Sequence, residues 1–553
     1  MKTNLFKRLL KNTAATLIAV FLFSGNVYSE PFALWINPNS TNNYNDSSKW
    51  IPIDGSLPNG IPGPNNNAYI FDGTLLVNSG GNFNPKELIM GWENWHVGEY
   101  LQTGGTTRVE FWTTVGKAGN QVFNINDGSY STGDLAVGWT NPGTSSIGVG
   151  VFNLNGGIFE SRAATFIGLE GATGTVNING GTFNATGNSW GSFRIADYGT
   201  GTGVLNLGGT GVVNASQYTA VGGWGNGTLN ITGGTWNQNF GGIVVGDAAD
   251  LTWTGRGEVN QSGGTVNVDY IFLQKGIYNL NGGNLLAYGV VDTKAETTGV
   301  FNFNGGTLQA RDNNTDFITA DTVEIKSGGG TIDTSNKEVW VSKVITGVGD
   351  LNKNGNGTLL LQANNTYTGT TYVNSGTLIV NGSLMSSNTI VTTGSVLKGS
   401  GSLQSVILQG GTLSPGNSPG LLSMNILDAS NGNLIFELGA STSRGITYDA
   451  IDVTNLLKLG LNTTWNFSIY NNYTFQLNDT YDLFNWSTLD SSNFDNNTLL
   501  NALPDLDTAN TNLRWDVNNF IIDGTVMVIP EPSSSILILM SLGSLIILRS
   551  LKK

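Results

Sequence analysis

The sequence predicts an all-β protein: a right-handed parallel β-helix, or β-solenoid, with a β-rich C-terminal cap and short hydrophobic helices at its two ends. Three observations predict it. A phrase ending in paired glycines recurs along the chain, the first glycine of each pair falling at Gly156, Gly180, Gly208, Gly233, Gly263, Gly282, Gly305 and Gly329. Apolar and polar residues alternate before each pair, as in Val176-Asn177-Ile178-Asn179, which puts Val and Ile on one face of a strand and Asn on the other. About halfway through each unit comes a second phrase, an apolar residue and a glycine, at Val97-Gly98, Val115-Gly116, Val137-Gly138, Ile167-Gly168, Val221-Gly222 and Val245-Gly246. Each unit therefore holds at least two short strands. A lone unit cannot bury its apolar face, but stacking aligns those faces into one core and pairs the backbone between coils. The steps between glycine pairs, 19 to 30 residues, are too short for the blades of a propeller, which need about 40–50 residues each.

The elements follow in order. Residues 1–29 read as a secretory signal peptide: basic Lys7, Arg8 and Lys11, an apolar run from Ala14 to Phe23, the helix breaker Gly25, and a cleavage site after Ser29. Residues 30–79 are expected to cap the first coil. Residues 80–420 carry the repeats, a stack of roughly 14 coils at the usual strand spacing. Residues 421–528 change in texture, with longer apolar runs such as Leu434–Leu438, more aspartate and no Gly-Gly pair. They read as a β-rich domain closing the open end, because an uncovered last coil exposes an edge strand. Residues 529–553 form a tail of Pro530-Glu531-Pro532, an apolar stretch Ile536–Leu548, and then Arg549, Lys552 and Lys553. As a helix that stretch reaches about 20 Å, enough to dip into a bilayer, and the basic residues behind it hold the terminus on the cytoplasmic side.

Composition narrows the function. Between residues 30 and 532 stand 18 basic and 39 acidic residues, a net charge of −21, which argues against binding nucleic acid through its phosphates. Cysteine is absent, so disulfides and thiolate metal sites are excluded and stability must come from stacked backbone ladders. The one histidine, His96, rules out a His-rich metal site and any catalytic triad not built on it; it reads as a turn or strand residue of the repeat. Asp350-Leu351-Asn352-Lys353-Asn354-Gly355 imitates the start of a calcium loop, but its twelfth position is Leu361, where a bidentate Glu is required. Glu160, Glu170, Asp197, Asp247 and Asp269 fall in different registers and make no recurring pair. No catalytic residue, cofactor or metal is expected, and the chain reads as non-enzymatic. Trp92, Trp139 and Trp224 follow the mid-unit glycines; exposed in a row they would stack on sugar rings, and buried they would be core packing.

Two stretches resemble known families. Pro530-Glu531-Pro532, the apolar stretch and the terminal Arg549, Lys552 and Lys553 resemble the PEP-CTERM sorting signal. That resemblance implies processing by an exosortase, a membrane protease of Gram-negative bacteria that make extracellular polysaccharide, and a place in the cell envelope, at the surface or in the matrix. The stretch from Gly355-Asn356-Gly357-Thr358-Leu359 through Ser375-Gly376-Thr377-Leu378 resembles the autotransporter-associated β-strand repeat. Gly399-Ser400-Gly401-Ser402-Leu403 and Gly411-Thr412-Leu413-Ser414-Pro415-Gly416 resemble the end of such passenger domains. This second resemblance implies a β-helical stalk exported to the cell surface, although residues 421–528 are too few for the membrane barrel that ends those proteins. The combined expectation is a secreted or surface structural solenoid: a stalk, an adhesin or a polysaccharide-matrix component. It would touch extracellular polysaccharide or cell-surface glycans along its side, and membrane only through its terminal segments. The alternative is a secreted carbohydrate-active enzyme or a glycan-binding module on the same fold.

Overall fold

A computed structural model describes residues 32–531 apart from 53–56, 58–59, 141–146, 189–192, 197–198, 247–254, 293–297 and 507–511. The signal segment, and the tail from Pro532 through Arg549, Lys552 and Lys553, lie outside the described residues, as do Asp197 and Asp247. The chain divides into two compact units, residues 1–331 and 332–553.

In the first unit each coil carries three strands rather than the minimum of two. One coil is Gly148–Leu154, Ile158–Ser161 and Thr165–Leu169, and the next is Thr173–Ile178, Thr182–Ala185 and Phe193–Ile195. All three pair in parallel with their counterparts, Phe152 opposite Val176, Phe159 opposite Phe183 and Ile167 opposite Ile195. The fold is a parallel β-helix with three sheets. Both glycine phrases are corners. Gly181 (φ +69°) turns the chain from first to second strand, and Gly168 (φ +77°) ends the third. At Gly168 a Cβ would stand 2.2 Å from the Thr202 carbonyl oxygen, where the chain leaves the next coil, so both the left-handed backbone and the close stacking require glycine. In the earliest copy the phrase misleads: Gly98 lies within a strand opposite Gly73, and the corner is Gly91 (φ +74°).

The period-2 pattern sets the core. Tyr100, Phe123, Phe152, Val176, Leu205, Leu229, Val259, Tyr278, Phe301 and Val323 stand in register from coil to coil, and all are fully buried. Gln261 is one interior polar side chain with partners on both ends of its amide: the Tyr278 hydroxyl donates to Gln261 Oε1 at 2.6 Å, and Gln261 Nε2 donates to the Asn284 carbonyl at 3.0 Å. At the N-terminal end, Phe32–Asn43 pairs antiparallel with Trp50–Pro52 and parallel with Asn67–Val77, so a local hairpin blunts that edge.

The polar positions of the same strands build an amide ladder. Asn153, Asn177, Asn206, Asn230, Asn260, Asn279 and Asn302 each donate Nδ2 to the Oδ1 of the asparagine one coil earlier, at 2.8 to 3.2 Å. Asn124 ends the series by donating to Glu99 Oε1 at 2.6 Å. Asparagine is a poor strand former alone, and stacked amides make it a good one. Every donor points the same way, so the far end is left with an acceptor: Asn302 Oδ1 is buried without a partner. The residue opposite is Glu324, a carboxylate held by Lys326 Nζ at 2.5 Å. Replacing Glu324 with Asn supplies the missing donor. A buried unpaired acceptor costs about 1–3 kcal/mol and a half-exposed ion pair is worth about 0–1, so Glu324→Asn is expected to stabilise this unit by about 1 kcal/mol. Urea denaturation of the two chains checks it, and an unchanged or lower midpoint would speak against the ladder.

In the second unit Val339, Leu359, Leu378, Leu397, Leu413, Leu434 and Trp465 form the corresponding buried register. The change of texture at residue 421 does not end the coils. Leu421–Asp428 pairs in parallel with Ser402–Gln409, Ala450–Lys458 with Leu421–Asp428, and Phe484–Asp490 with Ala450–Lys458. The run Leu434–Leu438 still alternates, with Leu434, Phe436 and Leu438 fully buried. Parallel stacking then gives way to an antiparallel sheet of Thr480–Asp482, Thr525–Pro530 and Leu513–Asp516. Beside it, fully buried Phe520 packs against Trp465 (5.5 Å), Phe494 (5.9 Å) and Phe484 (6.1 Å), covering the last coil with aromatic surface. Pro530 closes the final strand, and the Glu531 N–H donates to the Asn512 carbonyl at 2.7 Å. Among the described residues no helix is long and apolar enough to cross a membrane.

Candidate contact surface on the outer face

The sequence singles out Trp92, Trp139 and Trp224, and the structure separates them. Trp92 and Trp139 each directly follow a left-handed corner glycine, Gly91 and Gly138; in the coil between, the same position holds Lys117 after Gly116. The Lys117 ammonium sits 4.7 Å from the Trp92 ring and 5.0 Å from Trp139, a cation held between two π faces. Burial lowers the Lys117 pKa. Trp139 Nε1 donates to Glu170 at 2.8 Å, and Trp139 also meets Trp112 at 5.7 Å, which stacks on Phe166 at 6.1 Å. Trp224 stands two residues after Gly222, one place out of this register, and is 42% exposed. The row is thus an alternating aromatic and lysine row, with Trp224 apart from it.

A second aromatic run lies on the outer side of the third sheet and was not singled out from sequence. Phe240, 56% exposed, meets Tyr218 at 6.2 Å; Tyr218 meets Phe272 at 5.8 Å, Phe272 meets Tyr270 at 5.5 Å, and Tyr270 meets Tyr288 at 5.9 Å. A signal existed. An aromatic recurs beside the start of the third strand, in Tyr218-Thr219, Phe240-Gly241, Tyr270 and Tyr288-Gly289. Phe and Tyr also fill the core, so without knowing the corner their outward placement could not be read.

The titratable candidates are mostly occupied structurally. His96 is 2% exposed, its ring stacks on Phe71 at 4.2 Å, and Nδ1 accepts the N–H groups of Trp92 and Glu93 at 3.0 and 3.1 Å. Burial drives its pKa down to about 4, so it is a neutral turn-closing residue at pH 7. Glu160 accepts the Ser131 hydroxyl at 3.0 Å, and Glu170 accepts Trp139. Asp269 is joined to Arg311 at 3.2 Å. The sequence reading passed over one carboxylate pair, Asp72 and Glu99, on adjacent parallel strands lining a cleft of about 600 Å³. Glu99 accepts the Thr74 hydroxyl and the Asn124 amide on its two oxygens, and Asp72 accepts the Val97 N–H. Both are thereby tied into the coil.

The calcium-loop imitation resolves into core packing. Leu351–Asn354 is a strand, Leu361 is fully buried, and Asp350 accepts the Thr370 N–H at 2.7 Å. Lys353 points inward, fully buried, and donates to the carbonyls of Asn354, Gly355 and Ser375 at 3.0, 2.7 and 2.8 Å. Burial lowers its pKa to about 8. Among the described residues no group of three or more His, Cys, Asp or Glu could hold a metal ion.

Residues 351–380 match the passenger-associated-transport-repeat family. A search of the curated proteins finds no match to the chain. The matched stretch comprises Leu351–Asn354, Thr358–Leu361, Thr371–Val373 and Gly376–Val380, strands of successive coils. The match and the β-helix together fit a passenger-type β-helical protein.

Proposed function

We propose that the chain is an exported, envelope- or surface-attached structural β-solenoid, a stalk or polysaccharide-matrix component. In this reading an exosortase-type protease sorts it through Pro530, Glu531 and Pro532. One observation carries the reading: the passenger-associated repeat at residues 351–380 lies inside a parallel stack, its Leu359 and Leu378 in register with Val339 before and Leu397 after. The role is mechanical and multivalent, a scaffold on which similar weak contacts along one side add to avidity. No catalysis is assigned: in the cleft at Asp72 and Glu99, Glu99 accepts the Thr74 hydroxyl and the Asn124 amide on its two oxygens and Asp72 accepts the Val97 N–H. Mass spectrometry of the protein recovered from the producing cell tests the sorting. The expected product begins at Glu30, ends near Pro532 and lies outside the cytoplasm. An unprocessed chain, Met1 to Lys553, in the cytoplasm would overturn the proposal.

A further inference from the structure

The outer aromatic run ends in a cleft of about 360 Å³ lined by Asp269, Tyr270, Tyr288, Asp312, Asn313 and Asn314. Its walls come from the corners of three successive coils and are fixed by polar bonds. The Arg311 guanidinium lies 4.9 Å from the Tyr288 ring centre and donates to the Val268 carbonyl at 2.7 Å and to Asp269 at 3.2 Å. The other Asp269 oxygen accepts the Gly241 N–H at 3.1 Å. Asn314 Nδ2 donates to the Tyr288 carbonyl at 2.6 Å, and its Oδ1 accepts the Asp316 N–H at 2.8 Å. One face of Tyr288 is thus backed by arginine, while Tyr270 stands beside it with the two rings inclined at 46°.

That set of groups has a definite complement. An aromatic face takes the C–H side of a pyranose ring. A carboxylate has about four lone-pair sites and an amide offers both donors and an acceptor, so Asp312 and Asn313 can bond hydroxyls beyond the bonds they already make. Two carboxylates against one guanidinium leave the cleft negative, which repels a uronate or sulfated chain and leaves a neutral sugar acceptable. The volume is at the lower end of ligand sites, about 300–1,000 Å³, which suits a short stretch of chain rather than a long one.

We propose that this cleft is a subsite for a neutral sugar ring of an extracellular polysaccharide, with Tyr270 and Tyr288 as stacking groups and Asp312 as hydroxyl acceptor. The Phe272–Tyr218–Phe240 run continues the contact across earlier coils. This goes beyond the structural role, which requires no ligand at this corner and stands or falls on processing and location. The test is affinity electrophoresis of the full processed chain through gels containing dextran, laminarin or hydroxyethylcellulose, with alginate as the acidic polymer. The expected result is retardation by at least one neutral polymer and none by alginate. Tyr270→Ala should weaken that binding about tenfold, Asp312→Asn should weaken it measurably, and Leu461→Ala, an exposed change elsewhere, should leave it unaltered. Circular dichroism of each variant reports folding independently. Retardation by no neutral polymer, equal retardation by alginate, or binding untouched in folded Tyr270→Ala and Asp312→Asn would each overturn the assignment.

Discussion

Acidification from pH 7 to pH 4 is expected to destabilise the first unit by about 3 kcal/mol through His96. The imidazole is buried against Phe71, and its Nδ1 accepts two backbone N–H groups, so the folded protein holds the neutral ring. Its pKa is about 4 when folded, against the ordinary 6.5. Between those values the unfolded chain binds a proton that the folded chain refuses, so the stability contribution is complete above 6.5 and lost as pH falls toward 4. At about 1.4 kcal/mol per pH unit the difference comes to about 3 kcal/mol. The chain has one histidine, so a single imidazole resonance reports the titration directly. Its midpoint should lie near 4, and His96→Asn should flatten the pH dependence of urea unfolding between 6.5 and 4. A midpoint near 6.5 would mean that the turn from Trp92 to His96 is open to water. In the second unit Asp449 acts with the opposite sign. Burial raises its pKa to about 7, against the two backbone N–H groups that favour its charge, so it loses stability as pH rises from 3.8 toward 7.

Trp236→Ala should cost about 4 kcal/mol, in the range of large aromatic-to-alanine changes in a core. The side chain is fully buried, stacks on Phe193 at 5.5 Å with the planes inclined at 17°, and stands between Val213 and Val266 of the neighbouring coils. Its Nε1 donates to Gln238 Oε1 at 3.2 Å, an atom that also accepts the Thr219 hydroxyl. The substitution therefore opens a cavity spanning one coil and removes one donor, while Gln238 keeps another partner. Because contacts in a stack are local, hydrogen exchange should accelerate around residues 193–267, from Phe193 to the coil of Val266, before distant coils. Trp236→Phe, which keeps the stacking, should recover most of the loss. A cost under about 1 kcal/mol would mean that the ring is not enclosed.

Much of this was legible in particular residues. The alternation Val176-Asn177-Ile178-Asn179 fixed which side faces inward, and Gly180-Gly181 marked a corner. The third strand was not legible. Segments such as Thr219–Val221 and Phe193–Ile195 are three residues long, too short for alternation to show. The ladder of amides was half visible, since the recurring asparagine was seen as the polar side but not as one bonded chain; register between coils decides that. Residues 421–490 look unlike the repeats because no Gly-Gly pair marks their corners, yet the pairing between coils persists. Trp139 illustrates the limit for the surface: the sequence placed it after a corner glycine correctly, and could not show that Lys117 would lie against its ring.

The central claim is that consecutive copies lie in parallel, in register, one coil apart. A chain without cysteine allows a direct measurement: oxidation of the double variant Asn177→Cys/Asn206→Cys beside Asn177→Cys/Asn230→Cys, read as cross-linked fraction. Neighbouring coils put their partners about 4.8 Å apart, inside the roughly 4.4–6.8 Å that a disulfide spans between Cα atoms, and the second pair is two coils apart. The account predicts rapid, nearly complete bonding in the first variant and none in the second; bonding in the second, or in neither, would contradict it.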